Sequence, residues 1–160
     1  MAALATRTRP GFLVSDLEME DASPSYTSVT LDRLAARGDD TRTLFFITGA
    51  DAFQEIETWL NYPAILDRCH FVAVSRPGRP VSELRKLLPQ LADRMCAPTA
   101  VVPSTPSIFL VDAPTAAVSS TMIRDRLRNG ESIASLVPAD VAAYIDRHGL
   151  YHETGRKDFS

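Results

Sequence analysis

Apolar and polar positions along the chain fall into two rhythms, short unbroken apolar runs and longer stretches at helical spacing. The runs at 44–48 (L-F-F-I-T), 70–75 (H-F-V-A-V-S) and 107–111 (S-I-F-L-V) are short and β-prone, and each predicts a strand. The first has no alternation, the pattern of a strand covered on both faces by helices, and Gly49 ends it. A mixed stretch at 12–19 (F-L-V-S-D-L-E-M) predicts a partly covered strand running into an acidic turn at 18–21. A short strand is predicted at 100–102 inside a proline-rich crossover at 98–106. Helical spacing marks 26–37, where Val29, Leu31, Leu34 and Ala35 form a stripe and Gly38 supplies the stop. Further helices are predicted at 52–58, at 63–68 and 138–148 with proline in the first turn, at 82–88, and at 122–129. Leu84, Leu87, Leu88 and Leu91 keep core spacing, as do Val141, Tyr144 and Ile145. Residues 59–62 predict an exposed connection, 76–80 (R-P-G-R-P) a basic turn, and 153–160 a polar tail.

Strands alternating with helices predict an α/β fold, a parallel sheet with helices on both faces, whose ligands sit beyond the carboxyl ends of the strands. With 160 residues, 45% hydrophobic and 23% charged, the chain is expected to form one domain over 1–152 with a core that needs no staples. A net charge of -3 argues against holding nucleic acid by bulk electrostatics. No apolar run has transmembrane length, and the opening M-A-A-L-A-T-R-T-R-P has no apolar core for a secretion signal, so a cytoplasmic protein is expected. Cys69 and Cys96 have no C-x-x-C partner and no histidine at metal spacing, which predicts packed, reduced thiols and no metal site.

Three strand ends carry candidate chemistry. After the last strand, Ser119, Ser120 and Thr121 place three hydroxyls at the start of the 122–129 helix, where uncapped N–H groups and the helix dipole favour phosphate. Arg124, in the first turn of that predicted helix, has a fork that reaches the same phosphate. An ordinary capped helix with a solvated arginine has the same residues. Asp51 follows a buried strand behind Gly49, whose freedom lets the backbone turn tightly, and it reads either as an acceptor for ribose hydroxyls or as a helix cap. Trp59, the one tryptophan, lies in a polar stretch and reads as a stacking platform for a base or as a packed loop anchor. Arg76-Pro77-Gly78 marks the third strand end.

Taken together, S-P-S-Y-T-S-V-T-L, F-F-I-T-G-A-D-A-F, T-W, S-R-P-G and V-S-S-T-M-I-R occur in the order and spacing of the bacterial nicotinate-nucleotide adenylyltransferases, which the chain resembles from Met1 to Tyr151. The resemblance implies a Rossmann-like nucleotidyltransferase fold and adenylyl transfer from ATP to nicotinate mononucleotide, with Mg²⁺ assisting, in NAD biosynthesis. It also implies that Ser119, Ser120, Thr121 and Arg124 hold the ATP phosphates, with Arg124 catalytic. Tyr26, Thr27, Gly49, Asp51 and Trp59 would then bind nicotinate mononucleotide, Trp59 by stacking on the ring.

The resemblance stops at the front. Members of the family open with G-G-T-F-D-P-x-H-x-G-H, and no such residues stand in these 160. Met1 to Ala5 instead resembles the middle of the helix before the family's third strand, so an N-terminally truncated form of the fold is expected. His70, His148 and His152 are far from any glycine-rich loop and read as structural or solvated. Two alternatives follow, a nucleotide-binding remnant without transfer activity and a pantetheine-phosphate-using relative. The P-S-Y-T and G-A-D-x-F segments speak against the second.

Overall fold

A computed structural model describes residues 1–19, 24–99 and 101–151, so Ala100, His152, Ser23, the far end of the 18–21 turn and the 153–160 tail lie outside the described residues. The chain divides into two compact units, Asp16–Ala117, and Met1–Ser15 with Val118–Ser160.

The first of these units is built on a four-stranded parallel sheet. Its strands are β1 (Phe45–Gly49), β2 (His70–Val74), β3 (Met95–Cys96) and β4 (Ile108–Val111), in the order β1-β2-β4-β3. Parallel neighbours need long crossovers. These contain α3 (Ala50–Gln54) and, further on, α4 (Leu84–Leu87), with short 3₁₀ turns at Ile56–Thr58, Ala64–Asp67, Val81–Glu83 and Pro89–Arg94. Helix α2 (Thr27–Ala36) precedes the sheet. Alternate strand residues Phe71, Ala73 and Ile108 bury one sheet face against Phe53, Ile56, Ile65, Leu66 and Leu84. At about 25 cal/mol per Å², each large side chain enclosed there stabilises the unit by roughly 1.5–3 kcal/mol.

Several expectations are corrected. Strand β1 is buried on one face rather than two: Phe46 packs on the core, while Phe45 and Ile47 are 42% and 70% exposed. An unbroken apolar run contains no alternation from which that difference could be read. Residues 12–19 form no strand. Their backbone bonds close turns, Phe12 N–H to the Arg9 carbonyl and Met19 N–H to that of Asp16, and Leu13 is 96% exposed while Leu17 alone is buried. Val101 and Val102 are likewise exposed and belong to no strand; the strand of that region is Met95–Cys96, too short for any period to show. In α2 the inward face takes Ser28 and Leu31 and leaves Ala35 outside. Leu87 is exposed because the 82–88 helix is one 3₁₀ turn followed by one α turn, and Pro89 prevents its extension. The helix expected at 63–68 is likewise a single 3₁₀ turn, and that expected at 52–58 starts two residues early, at Ala50.

The second unit packs α1 (Ala2–Thr6), α5 (Ser120–Arg128) and α6 (Ala139–Arg147) around Leu127, Ile133, Val141 and Ile145. Leu4, Ala5 and Ile123 lie against that cluster, and Arg7 pairs with Asp140 at 2.7 Å. Tyr144 is half-buried, its ring 4.2 Å from that of His148.

Cys69 and Cys96 are free thiols, as expected, and burial pushes the Cys69 thiol up to about 11. His70 is structural. Its ring stacks on Phe45 at 4.9 Å, lies 5.6 Å from Phe109, and accepts the Ser107 N–H on Nδ1 at 3.1 Å. Burial lowers its pKa below the ordinary 6.5, so the unfolded chain takes up the proton more readily than the folded one. Its contribution to stability is complete above pH 6.5 and is lost as the pH falls through the folded value. An imidazole titration by NMR is expected to put the His70 midpoint below 6.5, with the urea midpoint falling on acidification. A His70 midpoint at or above that value contradicts the account.

Candidate functional site

The candidate residues of the sheet unit gather at two places. At the end of β1, Gly49 caps α3 with φ -71 and ψ 151, ordinary extended backbone that any residue adopts. The expectation that this glycine serves a tight turn is therefore corrected: what it supplies is space. A β-carbon there would stand 2.3 Å from Asp51 Oδ1 and 2.7 Å from Arg76 Nε. Asp51 lies in the first turn of α3 and is not the cap, since Gly49 holds that position. Its Oδ1 faces Arg76 Nε at 3.7 Å.

Arg76 leaves the end of β2 in a turn closed by Arg79 N–H to the Arg76 carbonyl at 2.8 Å. Pro77 and Gly78 occupy the centre, Gly78 at φ +76, the position a type II turn reserves for glycine. Beside it, buried Ser75 donates to Asp112 Oδ1 at 2.8 Å and accepts the Ala113 N–H at 3.0 Å. A crevice of about 290 Å³ opens between these two strand ends, lined by Arg76, Gly78, Asp112, Pro114 and Thr115. In the sequence Ser75 stands out only as part of the S-R-P-G segment, with no role of its own, and Asp112 does not stand out. Their common strand-end position was the available signal.

The second place is a cavity of about 310 Å³ lined by Ser25, Tyr26, Thr27, Thr58, Trp59, Leu60 and Ile65. Trp59 does not lie in an exposed connection as expected. Its indole is half-buried and meets Phe46 edge-on, centroids 5.8 Å apart at 85°, and Phe71 at 6.4 Å. It is both anchored in the core and a wall of the cavity. Tyr26 is the N-cap of α2 and makes no side-chain cap bond, and the first turn carries no acidic residue. The α2 terminus that borders the cavity thus keeps its positive end uncompensated by its own side chains.

In the helical unit, α5 starts at Ser120, earlier than expected, with Ser119 as N-cap. The Ser119 hydroxyl accepts the Met122 N–H at 3.1 Å. Ser120 and Thr121 begin the helix and are exposed. Arg124 is its fifth residue, one turn beyond Ser120 and on the same face. Arg126 and Arg128 are engaged with Glu131 and Asp125, at 3.7 and 2.7 Å, whereas exposed Arg124 has no hydrogen bond or ion pair among the described residues.

Among the described residues no three His, Cys, Asp or Glu side chains cluster as a metal site, and no helix is long and apolar enough to cross a membrane.

The sequence model of the cytidylyltransferase-like family matches residues 1–126. A probable nicotinate-nucleotide adenylyltransferase of Corynebacterium jeikeium is 38% identical over 151 residues, 94% of this chain and 72% of that protein. One from Acidothermus cellulolyticus is 38% identical over 158 residues, 96% of this chain and 68% of the relative. One from Thermus thermophilus is 41% identical over 151 residues, 94% and 70% of the two chains. Among solved structures, the Plasmodium falciparum nicotinic acid mononucleotide adenylyltransferase complexed with APC has the same fold, with a TM-score of 0.57 and 18% identity. That match covers 88% of this chain and 64% of the other.

The α5 geometry separates a structural hydroxyl from a free charge. Ser119→Ala is expected to destabilise the helical unit by about 1 kcal/mol, the usual worth of such a cap, and Arg124→Ala to stay within about 0.5 kcal/mol of the native protein. Urea melts of the two variants check this; equal losses would contradict it.

Proposed function

The chain belongs to the cytidylyltransferase-like family, with the nicotinate-nucleotide adenylyltransferases, and from that membership we propose that it transfers the adenylyl group of ATP to nicotinate mononucleotide, giving deamido-NAD and pyrophosphate. The observation that carries the proposal within this chain is Arg124, a guanidinium with no partner among the described residues, on the Ser120 face of a helix whose N-terminus is already ordered by Ser119.

In this reading the first-turn N–H groups of α5, with Ser119, Ser120 and Thr121, bind the ATP phosphates. Arg124 meets the charge that grows on them during transfer. The Ser119 hydroxyl acts through the cap it forms, leaving the Ser120 and Thr121 hydroxyls for direct contact. The α2 terminus at Tyr26 and Thr27 attracts the nicotinate carboxylate, Trp59 offers the exposed part of its indole to the ring, and Asp51 beside Gly49 accepts ribose hydroxyls. A core-anchored Trp59 suits stacking, because a rigid aromatic loses little entropy when a ring settles on it.

The chemistry needs no covalent intermediate. The mononucleotide phosphate attacks the α-phosphorus in line and pyrophosphate leaves, so the protein's work is positioning and charge stabilisation. Mg²⁺ on the triphosphate would supply further neutralisation of the leaving group. Such an ion is commonly carried on substrate phosphates with only one or two protein carboxylates beside it.

Arg124→Ala, in the protein that carries this chain, is expected to lower turnover about 100-fold, the worth of a few kcal/mol in the transition state. Steady-state pyrophosphate release checks it, and near-native turnover by a folded variant would remove Arg124 from the reaction. Nicotinate mononucleotide is also expected to change Trp59 emission. Binding seen by calorimetry with unaltered fluorescence would make Trp59 a packing residue only.

A further inference from the structure

At the end of β1 three residues share one small volume. A β-carbon on Gly49 would meet Asp51 Oδ1 at 2.3 Å, Arg76 Nε at 2.7 Å and Arg76 Cδ at 3.3 Å, so both side chains lie across the bare α-carbon. Because the backbone of Gly49 is in an ordinary extended conformation, space alone requires glycine there.

The two side chains differ in how firmly they are held. Asp51 belongs to a five-residue helix, is 47% exposed, and makes no other hydrogen bond or ion pair among the described residues. Alone, its carboxylate would move among staggered rotamers. Arg76 starts from a fixed backbone. Its N–H donates to the Arg79 carbonyl at 3.1 Å, its carbonyl accepts the Arg79 N–H at 2.8 Å, and Pro77 and Gly78 lock the turn between them. The strand register adds to this, since Gly49 lies opposite Val74, two residues before Arg76.

We infer that Arg76 is a positioning residue, selecting the Asp51 rotamer that passes over Gly49 and leaves one carboxylate oxygen to accept sugar hydroxyls. Contact through Nε to Oδ1 occupies one oxygen and leaves Oδ2 without a partner among the described residues. The S-R-P-G segment then has a role distinct from phosphate binding: its turn aims an arginine at an aspartate on the neighbouring strand end. What Asp51 binds rests on the proposed nucleotide reading; the holding of Asp51 does not.

Two measurements separate these layers. Three-bond couplings to the Asp51 β-protons are expected to report one dominant rotamer in the native protein, averaging in Arg76→Met, recovery in Arg76→Lys, and displacement in Gly49→Ala with α3 intact. Unchanged couplings in Arg76→Met would overturn the inference, whatever Gly49→Ala does. The second measurement compares affinity for nicotinate mononucleotide with that for its 2′,3′-dideoxy counterpart. Arg76→Met is expected to narrow the preference for the ribonucleotide about threefold, the scale of a half-exposed ion pair, with dideoxy binding unaltered. Equal weakening of both ligands would make Arg76 a general binding charge and contradict the positioning role. A pinned Asp51 in a native protein that shows no preference would remove the ribose reading and support the holding.

Discussion

The pairing of β2 on both its sides is the constraint on which the candidate site of the sheet unit depends. Phe71 and Ala73 are fully buried, and their burial leaves β2 no freedom to slip, because a shift of one residue would turn both toward the other face. With β2 fixed, Gly49 falls opposite Val74 and Val74 opposite Val111. Three strands therefore end at one level. The residues that follow, Asp51, Arg76 and Asp112, are delivered to the same edge of the sheet by hydrophobic packing several residues away.

Polar interactions at that edge are individually weak and act by restricting geometry. An ion pair at 3.7 Å with both side chains about half exposed contributes about 0–1 kcal/mol to stability. The Ser75 network, enclosed and bonded to both Asp112 and Ala113, joins the ends of β2 and β4 and leaves the crevice beside it with a defined wall. In the helical unit the equivalent division is between Ser119, whose hydroxyl completes the helix end, and Arg124, whose charge has no partner among the described residues. Groups that satisfy the fold and groups that the proposed function gives to a ligand are thus adjacent in sequence but distinct in role.

How much of this was legible in the sequence follows from the range of each signal. The three long strands were found within a residue or two because unbroken apolar runs next to turn residues have few other uses, and α5 was found because hydroxyls before an amphipathic stretch satisfy helix ends. The run at 12–19 misled because β-prone residues form a strand only where another strand offers hydrogen bonds, and those residues close turns and meet α2 side chains instead, as where the Leu17 carbonyl accepts from Arg33. Met95–Cys96 was missed since two residues carry no period. The exposure of Ile47, the spatial requirement at Gly49 and the anchoring of Trp59 depend on neighbours distant in the chain. Candidate residues such as Asp51 and Arg124 came from strand-end logic and from the family resemblance. The partner of Asp51 came only from the fold.

The central claim is that this chain takes part in adenylyl transfer, and following the α-phosphorus tests it most directly. The protein containing this chain, with ATP labelled at that atom, Mg²⁺ and nicotinate mononucleotide, is predicted to place the label in deamido-NAD in equal amount to the pyrophosphate released. Label kept in ATP or released as AMP, by a folded protein that binds both nucleotides, would contradict it.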